Sequence, residues 1–110
     1  MMVHQREILS LYFPVPGRGM TTHPGIVISN DDLFLDEGFF YCVMMLTKDF
    51  NPQYIYEITS EMVTKQGRFP SFAKCQIINS FTVKDIEKRY GYLKNEYFDD
   101  LVKKINQSIF

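Results

Sequence analysis

The segment FFYCVMML, residues 39–46, most constrains the fold of this chain. It is a continuous run of eight apolar residues that lies between Gly38 and Thr47. A run of this length is too short to span a membrane as a helix, and its apolar and polar side chains do not alternate. It therefore predicts a strand with both faces buried, in a sheet that is covered on either side.

Four further segments have the composition of strands. The segment EILSLYFPVP is rich in aliphatic and aromatic residues and is followed by Gly17 and Gly19, which we expect to open a long loop. A second strand is expected over GIVIS from Gly25, and others over YIYEIT and FAKCQIINSF, whereas NDDLFLDEG is expected to form turns. The prediction is about five strands in the first 80 residues.

The last third of the chain predicts a change from strands to helix. Thr82 and Asp85 resemble a capping box that opens a short helix through Lys88, and KRYGYL is expected to be extended again. From Asn95 the apolar residues recur at the three- and four-residue spacing of an amphipathic helix: Phe98, Leu101, Val102, Ile105 and Ile109. The sequence thus predicts one mainly β domain over residues 1–110, a small bent sheet or barrel closed by a C-terminal helix.

Composition and charge exclude several classes of function. The formal net charge is −1 and the isoelectric point is about 6.1, so any nucleic-acid site has to be local. The cysteines, Cys42 and Cys75, lie inside apolar runs, where we expect buried thiols in a reducing cytoplasm. The start MMVHQREILS lacks the apolar core of a signal peptide, and we expect a cytoplasmic protein with no membrane association.

No metal or cofactor motif is recognisable. The two histidines and two cysteines are isolated from one another, which is not the paired spacing of a zinc site. Asp31, Asp32, Asp36 and Glu37 do not have the spacing of a calcium loop, and no phosphate-binding or dinucleotide fingerprint is present. We therefore expect no metal site and no cofactor.

His23 is the residue most suited to acid–base chemistry. It follows a Gly/Thr segment and precedes Pro24, which restricts it to an extended conformation. An imidazole can accept a proton from a sugar hydroxyl or donate one to a leaving oxygen. The alternative is an ordinary half-exposed turn residue, and residue type alone favours that alternative.

Other polar residues of the chain suit phosphate or RNA contacts. Arg18 can clamp a phosphate, and Thr22 and Thr47 can donate hydrogen bonds to one. Lys48 follows Thr47, while Lys74 and Gln76 alternate with apolar residues and are expected to share one strand face. Their alternative interpretation is a solvated surface.

Five segments, taken in order, resemble the MazF/PemK family of toxin endoribonucleases, and together they cover nearly the whole chain. They are REILSLYFPVPG, HPGIVISND, a strand ending in LT, AKCQIINSF and YGYLKNEYFDDLVKKI. The resemblance implies a small SH3-like β-barrel of the CcdB/MazF toxin type. It also implies a homodimer, metal-independent cleavage of single-stranded RNA, and a cognate antitoxin protein as partner.

The resemblance also assigns roles to residues. The family's catalytic arginine corresponds to His23 and its catalytic threonine to Thr47. Gln76 falls on the RNA-contact surface, and Arg18 and Thr22 fall in a loop that lines the substrate groove.

The histidine departs from the family pattern, because arginine is permanently charged and neutral histidine is not. Two outcomes are open: His23 acts as general base or acid while Arg18 or Lys74 supplies positive charge, or activity is lost. In the second case the chain is an RNA- or partner-binding module. A CcdB-like toxin directed at a topoisomerase is a further alternative.

Overall fold

The computed structural model describes residues 1–48, 51–65 and 72–110. These residues form a six-stranded antiparallel sheet in the order β4-β5-β3-β2-β1-β6, with two helices and three 3-10 turns. The elements are β1 (Glu7–Val15), β2 (Gly19–Val27), α1 (Asp31–Glu37), β3 (Phe39–Leu46), β4 (Ile55–Glu57), β5 (Phe72–Thr82), β6 (Ile86–Tyr92) and α2 (Asn95–Ile109). The 3-10 turns are Pro52–Tyr54, Ser60–Met62 and Val83–Asp85.

The first two strands form a tight hairpin, so the prediction of a long loop after Gly17 is wrong. The pairing runs without interruption from Ile8 opposite Ile26 to Val15 opposite Gly19. Gly17 and Gly19 have φ of 79° and 70°, values that glycine adopts without strain and that suit a hairpin turn. The strand predicted from Gly25 thus begins six residues earlier, and His23 lies within a strand rather than at the end of a loop.

The pairing of β2 with β3 is short, and this opens the sheet. It covers only Gly25–Val27 of β2, and it ends next to Pro24, which has no backbone N–H to donate. A Cβ atom at Gly25 would lie 3.1 Å from the Cβ of Cys42, so a glycine permits the close approach at the last pair. Beyond this pair the two strands separate.

A large bulge interrupts β5 beside the same gap. Val43 of β3 pairs with Ile78, but the next residue, Met44, pairs with Lys74, which leaves three residues of β5 outside the ladder. The simple alternation that predicted a shared face for Lys74 and Gln76 does not apply across such a bulge. Lys74 instead lies between β3 and β4, paired with Met44 and Ile55.

The strand β3 has buried side chains on both faces, as its continuous apolar run predicts. Val43 and Met45 belong to one core cluster, which α2 covers with Leu101 and Ile105. The second cluster, on the other face, is made by Val3, Leu9, Leu11, Val27, Phe40, Cys42, Met44 and Phe81. Within the described ranges, no helix is long and apolar enough to cross a membrane.

The two edges of the sheet approach each other without forming a continuous ladder. Val63 and Leu93 form an isolated bridge, and Lys94 N–H donates to the carbonyl of Met62 at 2.8 Å. The architecture is therefore a strongly curved, barrel-like sheet with a C-terminal helix, which confirms the predicted fold class.

Two local predictions need correction. The segment predicted as turns after Asn30 is the helix α1, because the Asn30 side chain accepts from the N–H of Leu33 and Gly38 ends the helix at φ 78°. The capping box at Thr82 is present, with Thr82 N–H donating to Asp85 Oδ2 at 2.9 Å. It opens a single 3-10 turn rather than a helix through Lys88, since β6 begins at Ile86.

Candidate functional site

A pocket of about 210 Å³ lies where β2 and β3 separate. Its walls are mostly apolar, and they include two ionisable side chains, His23 from β2 and Lys74 from β5. The lining residues are Phe13, His23, Met44, Met45, Leu46, Lys74 and Ile77. We call it the His23 pocket.

His23 is held at the pocket by the hairpin. It pairs with Leu11 of β1. Its ring packs edge-to-face with the ring of Phe13: the ring centres are 5.8 Å apart and the angle between the ring planes is 82°. Such an edge-to-face contact restrains the ring without using either ring nitrogen as a hydrogen-bond partner. The half-buried imidazole is therefore positioned by packing, and no described residue forms a hydrogen bond with either of its nitrogens.

Lys74 brings a positive charge to the same pocket. Its pairing with Met44 aligns it with a β3 residue that also lines the pocket. The Lys74 side chain thus lines a mainly apolar cavity, and a charge beside such a surface interacts more strongly with a bound anion than it does in bulk water. His23 and Lys74 are the two predicted site residues that the fold brings together in one cavity.

Thr47 and Lys48 lie next to this pocket rather than in its wall. Both are exposed and follow Leu46, the last residue of β3 and a lining residue. The last pair between β2 and β3 is Gly25–Met44. Extending this antiparallel register by three residues places Thr47 opposite Thr22, which is also exposed. These side chains form the polar rim of the cleft.

Two other predicted residues lie away from the lining. Arg18 is exposed in the hairpin turn, five residues from His23, which in a strand corresponds to about 15 Å. Gln76 is half-buried in the bulge of β5, where its Oε1 atom is buried and accepts no hydrogen bond from a described residue. The prediction that Arg18 compensates for the missing arginine therefore has no support from proximity.

Sequence reasoning missed the apolar residues of the pocket, among them Phe13, which contacts His23. Phe13 lies in β1 near the hairpin, and its partner across the ladder, Thr21, falls in the segment that was predicted as loop. Only the uninterrupted pairing of the hairpin sets Phe13 and His23 side by side.

The cysteines are buried core residues, as predicted. Burial raises the pKa of the Cys42 thiol far above its ordinary value, and burial likewise raises the pKa of the Cys75 thiol to about 11. Both thiols stay protonated near neutral pH and do not act as nucleophiles. Among the residues that the structure describes, no three His, Cys, Asp or Glu side chains come together as a metal site.

The sequence matches one family model, described as PemK-like, MazF-like toxin of type II toxin-antitoxin system, over residues 4–109. The chain belongs to this toxin family. It is therefore a MazF-like toxin of a type II toxin–antitoxin system, as the resemblance of the motifs implied. No curated protein sequence matches it significantly.

Solved structures have the same fold as this MazF-like toxin. A MazE-MazF complex from Deinococcus radiodurans is 10% identical with a TM-score of 0.77, over 96% of this chain and 94% of that one. The Mycobacterium tuberculosis toxin MazF-mt6 is 14% identical with a TM-score of 0.74, over 94% of this chain and 95% of that one. A mycobacterial endoribonuclease in complex with its cognate antitoxin is 12% identical with a TM-score of 0.65, over 97% and 88% respectively.

Proposed function

We propose that this toxin is a metal-independent endoribonuclease that cleaves single-stranded RNA in the His23 pocket. The observation that carries the proposal is the placement of an imidazole and an ammonium group, His23 and Lys74, in one mainly apolar cavity between separating strands. Membership of the family supports the RNA substrate.

The pocket favours an unpaired base over a duplex. Phe13 and Met44 offer flat or adaptable apolar surface, and single-stranded RNA is bound by stacking its bases on such side chains. Paired bases are stacked within a helix and do not enter a pocket of this kind. The net charge of −1 likewise fits a local binding groove better than a surface that coats a duplex.

The reaction we propose is transesterification within the RNA strand. The ribose 2′-oxygen bonds to phosphorus and the bond from phosphorus to the 5′-oxygen breaks, which gives a 2′,3′-cyclic phosphate and a 5′-hydroxyl. His23 removes the proton from the 2′-hydroxyl as general base or delivers a proton to the 5′-oxygen as general acid. Lys74 stabilises the negative charge on the phosphate, and the Thr47 hydroxyl donates a hydrogen bond to it.

The remaining predicted residues receive secondary roles. Thr22 and Lys48 contact the RNA on the rim of the cleft, and Gln76 contacts it from the bulge of β5. Arg18, at the hairpin tip, contacts the RNA strand farther from the scissile phosphate, since it lies five residues from His23 and does not line the His23 pocket.

Partner and assembly follow from the same proposal. The toxin is neutralised by a cognate antitoxin, an inference supported by neighbours whose structures are MazE-MazF complexes. It forms a homodimer in the cytoplasm, and it uses no cofactor.

The test is incubation of the purified toxin with a long single-stranded RNA in the presence of EDTA. The wild-type protein is expected to produce fragments with cyclic phosphate ends, and Thr47→Val, which keeps the shape of the side chain, is expected to cleave more slowly. A matched control is Thr82→Val, an exposed threonine at the end of β5. Intact RNA with the wild-type protein at micromolar concentration contradicts the proposal.

A binding module without cleavage is the second candidate. It is favoured by one observation, that Arg18 lies in the hairpin turn, five residues from His23, and that no arginine is among the described residues that line the pocket. Lys74 then has to supply the charge for catalysis on its own. RNA that binds to the wild-type protein and stays uncut identifies this second candidate.

A further inference from the structure

A second cavity, of about 470 Å³, lies at the opposite end of β1 from the hairpin turn. Its lining is polar: His4, Gln5, Arg6, Asp31, Tyr92 and Asn95. Arg6 immediately precedes β1 and lies five positions along the chain from Leu11, the partner of His23. We call this cavity the Arg6 pocket, and the proposed RNA-cleavage chemistry uses none of its residues.

His4 is oriented in this pocket by a carboxylate. Its Nδ1 atom lies 2.7 Å from Oδ2 of Asp31, and the other carboxylate oxygen accepts from the N–H of Gln5 at 2.8 Å. Both oxygens of Asp31 are thus engaged by donors. An imidazole that donates Nδ1–H to a carboxylate presents Nε2 on the far side of the ring, and in the imidazolium form Nε2 also carries a hydrogen that it can donate to a ligand.

Arg6 is fixed at the wall of the pocket. Its Nη1 donates to the carbonyl of Leu93 at 2.7 Å, and its guanidinium carbon lies 5.9 Å from the centre of the Tyr92 ring. A guanidinium group has five N–H donors, and the contact with Leu93 uses one of them. The side chain is therefore immobilised before a ligand binds, and it keeps donors to offer.

The backbone at Arg6 adds a second indication. Its φ is 76°, a conformation that costs a non-glycine residue free energy and that glycine adopts without strain. A strained arginine at the wall of a polar cavity suggests that the side chain, rather than the turn, is what the position requires. Asn95, the first residue of the fifteen-residue helix α2, forms another part of the wall, and the side chain of the N-cap residue Lys94 makes no capping hydrogen bond.

We propose that the Arg6 pocket binds the phosphate group of a nucleotide-sized ligand, with Arg6 and the Nε2–H of the His4 imidazolium as donors. A planar guanidinium and a carboxylate-oriented imidazole match phosphate oxygens in charge and geometry. The cavity holds far more than a phosphate ion, since a water molecule takes up about 30 Å³ of liquid. A free mononucleotide and the backbone of single-stranded RNA share this chemistry.

The experiment measures binding to the whole protein by amide NMR and calorimetry. One arm uses adenosine monophosphate, and the other uses a short 2′-O-methyl oligoribonucleotide, which cannot be cleaved. The expected result is that at least one of them shifts the amide signals of Gln5, Asp31 and Asn95. Binding of the mononucleotide indicates a free nucleotide as ligand, and binding of the oligonucleotide alone indicates the RNA backbone.

Three variants separate the proposed contacts from effects on folding. Arg6→Gly removes the charge and suits φ 76°, so the protein stays folded while affinity falls by tenfold or more, on the order expected for a hydrogen bond between charged groups. His4→Asn keeps a donor for Asp31 but loses Nε2, and affinity is expected to fall severalfold. Lys103→Ala, on the exposed side of α2, removes a charge elsewhere and leaves binding unchanged.

Three outcomes overturn the proposal. The first is that neither ligand shifts these amide signals at millimolar concentration. The second is that Arg6→Gly binds as tightly as the wild-type protein. The third is that the only shifts occur around His23 and Lys74. Because the pocket does not depend on the cleavage chemistry, His23→Ala is expected to leave its affinity unchanged, so the two proposals fail separately.

Discussion

The His23 pocket and the Arg6 pocket lie toward opposite ends of the strand β1, and they differ in how their charged groups are held. In the His23 pocket the imidazole is positioned by the ring of Phe13, and Lys74 stands among apolar residues. In the Arg6 pocket His4 is bonded to a carboxylate and Arg6 to a backbone carbonyl.

This difference accords with the two proposals, cleavage chemistry in the His23 pocket and ligand binding in the Arg6 pocket. A group whose hydrogen-bond partners are already fixed is pre-organised to hold a ligand, but it changes its protonation or position only at a cost. A group positioned by apolar contacts keeps its polar atoms for the substrate. The predictions below test this distinction, beginning with the largest expected effect.

Arg89→Met is expected to destabilise the Arg6 end of β1 most strongly. Arg89 Nη1 lies 2.5 Å from Oε2 of Glu7, whose side chain is only 4% exposed. Without this partner the Glu7 charge is buried and uncompensated, and the free energy of unfolding is expected to fall by about 3 kcal/mol. Denaturant unfolding measures the change, and a loss below 1 kcal/mol would contradict it.

The double variant Glu7→Gln with Arg89→Met is the control. It removes the buried charge together with its partner, so it is expected to recover a substantial part of the lost stability. In both proteins the rate of RNA cleavage per folded molecule is expected to stay at the wild-type value, because the ion pair lies outside the His23 pocket.

Lys74→Met is expected to act on catalysis rather than on stability. The substitution keeps the apolar stem but removes the charge that stabilises the phosphate, so cleavage is expected to fall by about 10²-fold to 10³-fold. Lys84→Met, at an exposed position in the turn after β5, is the matched control and is expected to cleave at the wild-type rate. Equal rates of RNA cleavage by the two variants would show that Lys74 does not contribute to catalysis.

Arg6→Gly is expected to leave stability nearly unchanged, and to lower cleavage only where the Arg6 pocket holds the backbone of the RNA substrate. The relief of the backbone at φ 76° offsets the loss of the contacts with Leu93 and Tyr92, and the free energy of unfolding is expected to change by less than about 1 kcal/mol. Thermal unfolding and the cleavage assay measure the two quantities. A large loss of cleavage in this variant would show that RNA cleavage depends on the Arg6 pocket as well as on the His23 pocket.

Asp31→Asn is expected to give the smallest effect, and one that depends on pH. The hydrogen bond from His4 and the one from the N–H of Gln5 hold the pKa of Asp31 below its ordinary value of 3.8. The carboxylate therefore stabilises the fold above that pH, and its contribution disappears as the pH falls through the lowered value.

The Asp31 side chain is 42% exposed, so the contribution is expected to be below about 1 kcal/mol at pH 7. Unfolding of the wild-type protein and the variant over a series of pH values measures it. A difference between the two that grows on acidification would contradict the assignment.

Much of the fold follows from local sequence signals. The apolar run of β3 and the spacing of Leu101 and Ile105 each predict the element that contains them, whereas the capping box at Thr82 opens a 3-10 turn and not the predicted helix. The hairpin was missed because glycine and threonine between Gly17 and His23 are equally typical of loops, and only pairing with β1 makes the segment a strand. The helix α1 was missed because its acidic residues were interpreted as turn residues.

The site was less predictable because it depends on irregular features of the sheet. His23, Thr47 and Lys74 were proposed from residue type and family motif, and the cleft that holds two of them, His23 and Lys74, arises where pairing ends at Pro24 and where β5 bulges. Neither break can be located from the sequence of one strand. The Arg6 pocket depends on contacts between Arg6 and residues more than 80 positions away, and single-sequence patterns do not encode such contacts.

The most direct test of the central claim is RNA cleavage in EDTA by wild-type protein and His23→Ala, both checked for native folding. The pocket assigns a proton transfer to His23, so the variant is expected to cleave at least about 10²-fold more slowly while still binding RNA. Cleavage by His23→Ala at the wild-type rate would contradict this account of the site.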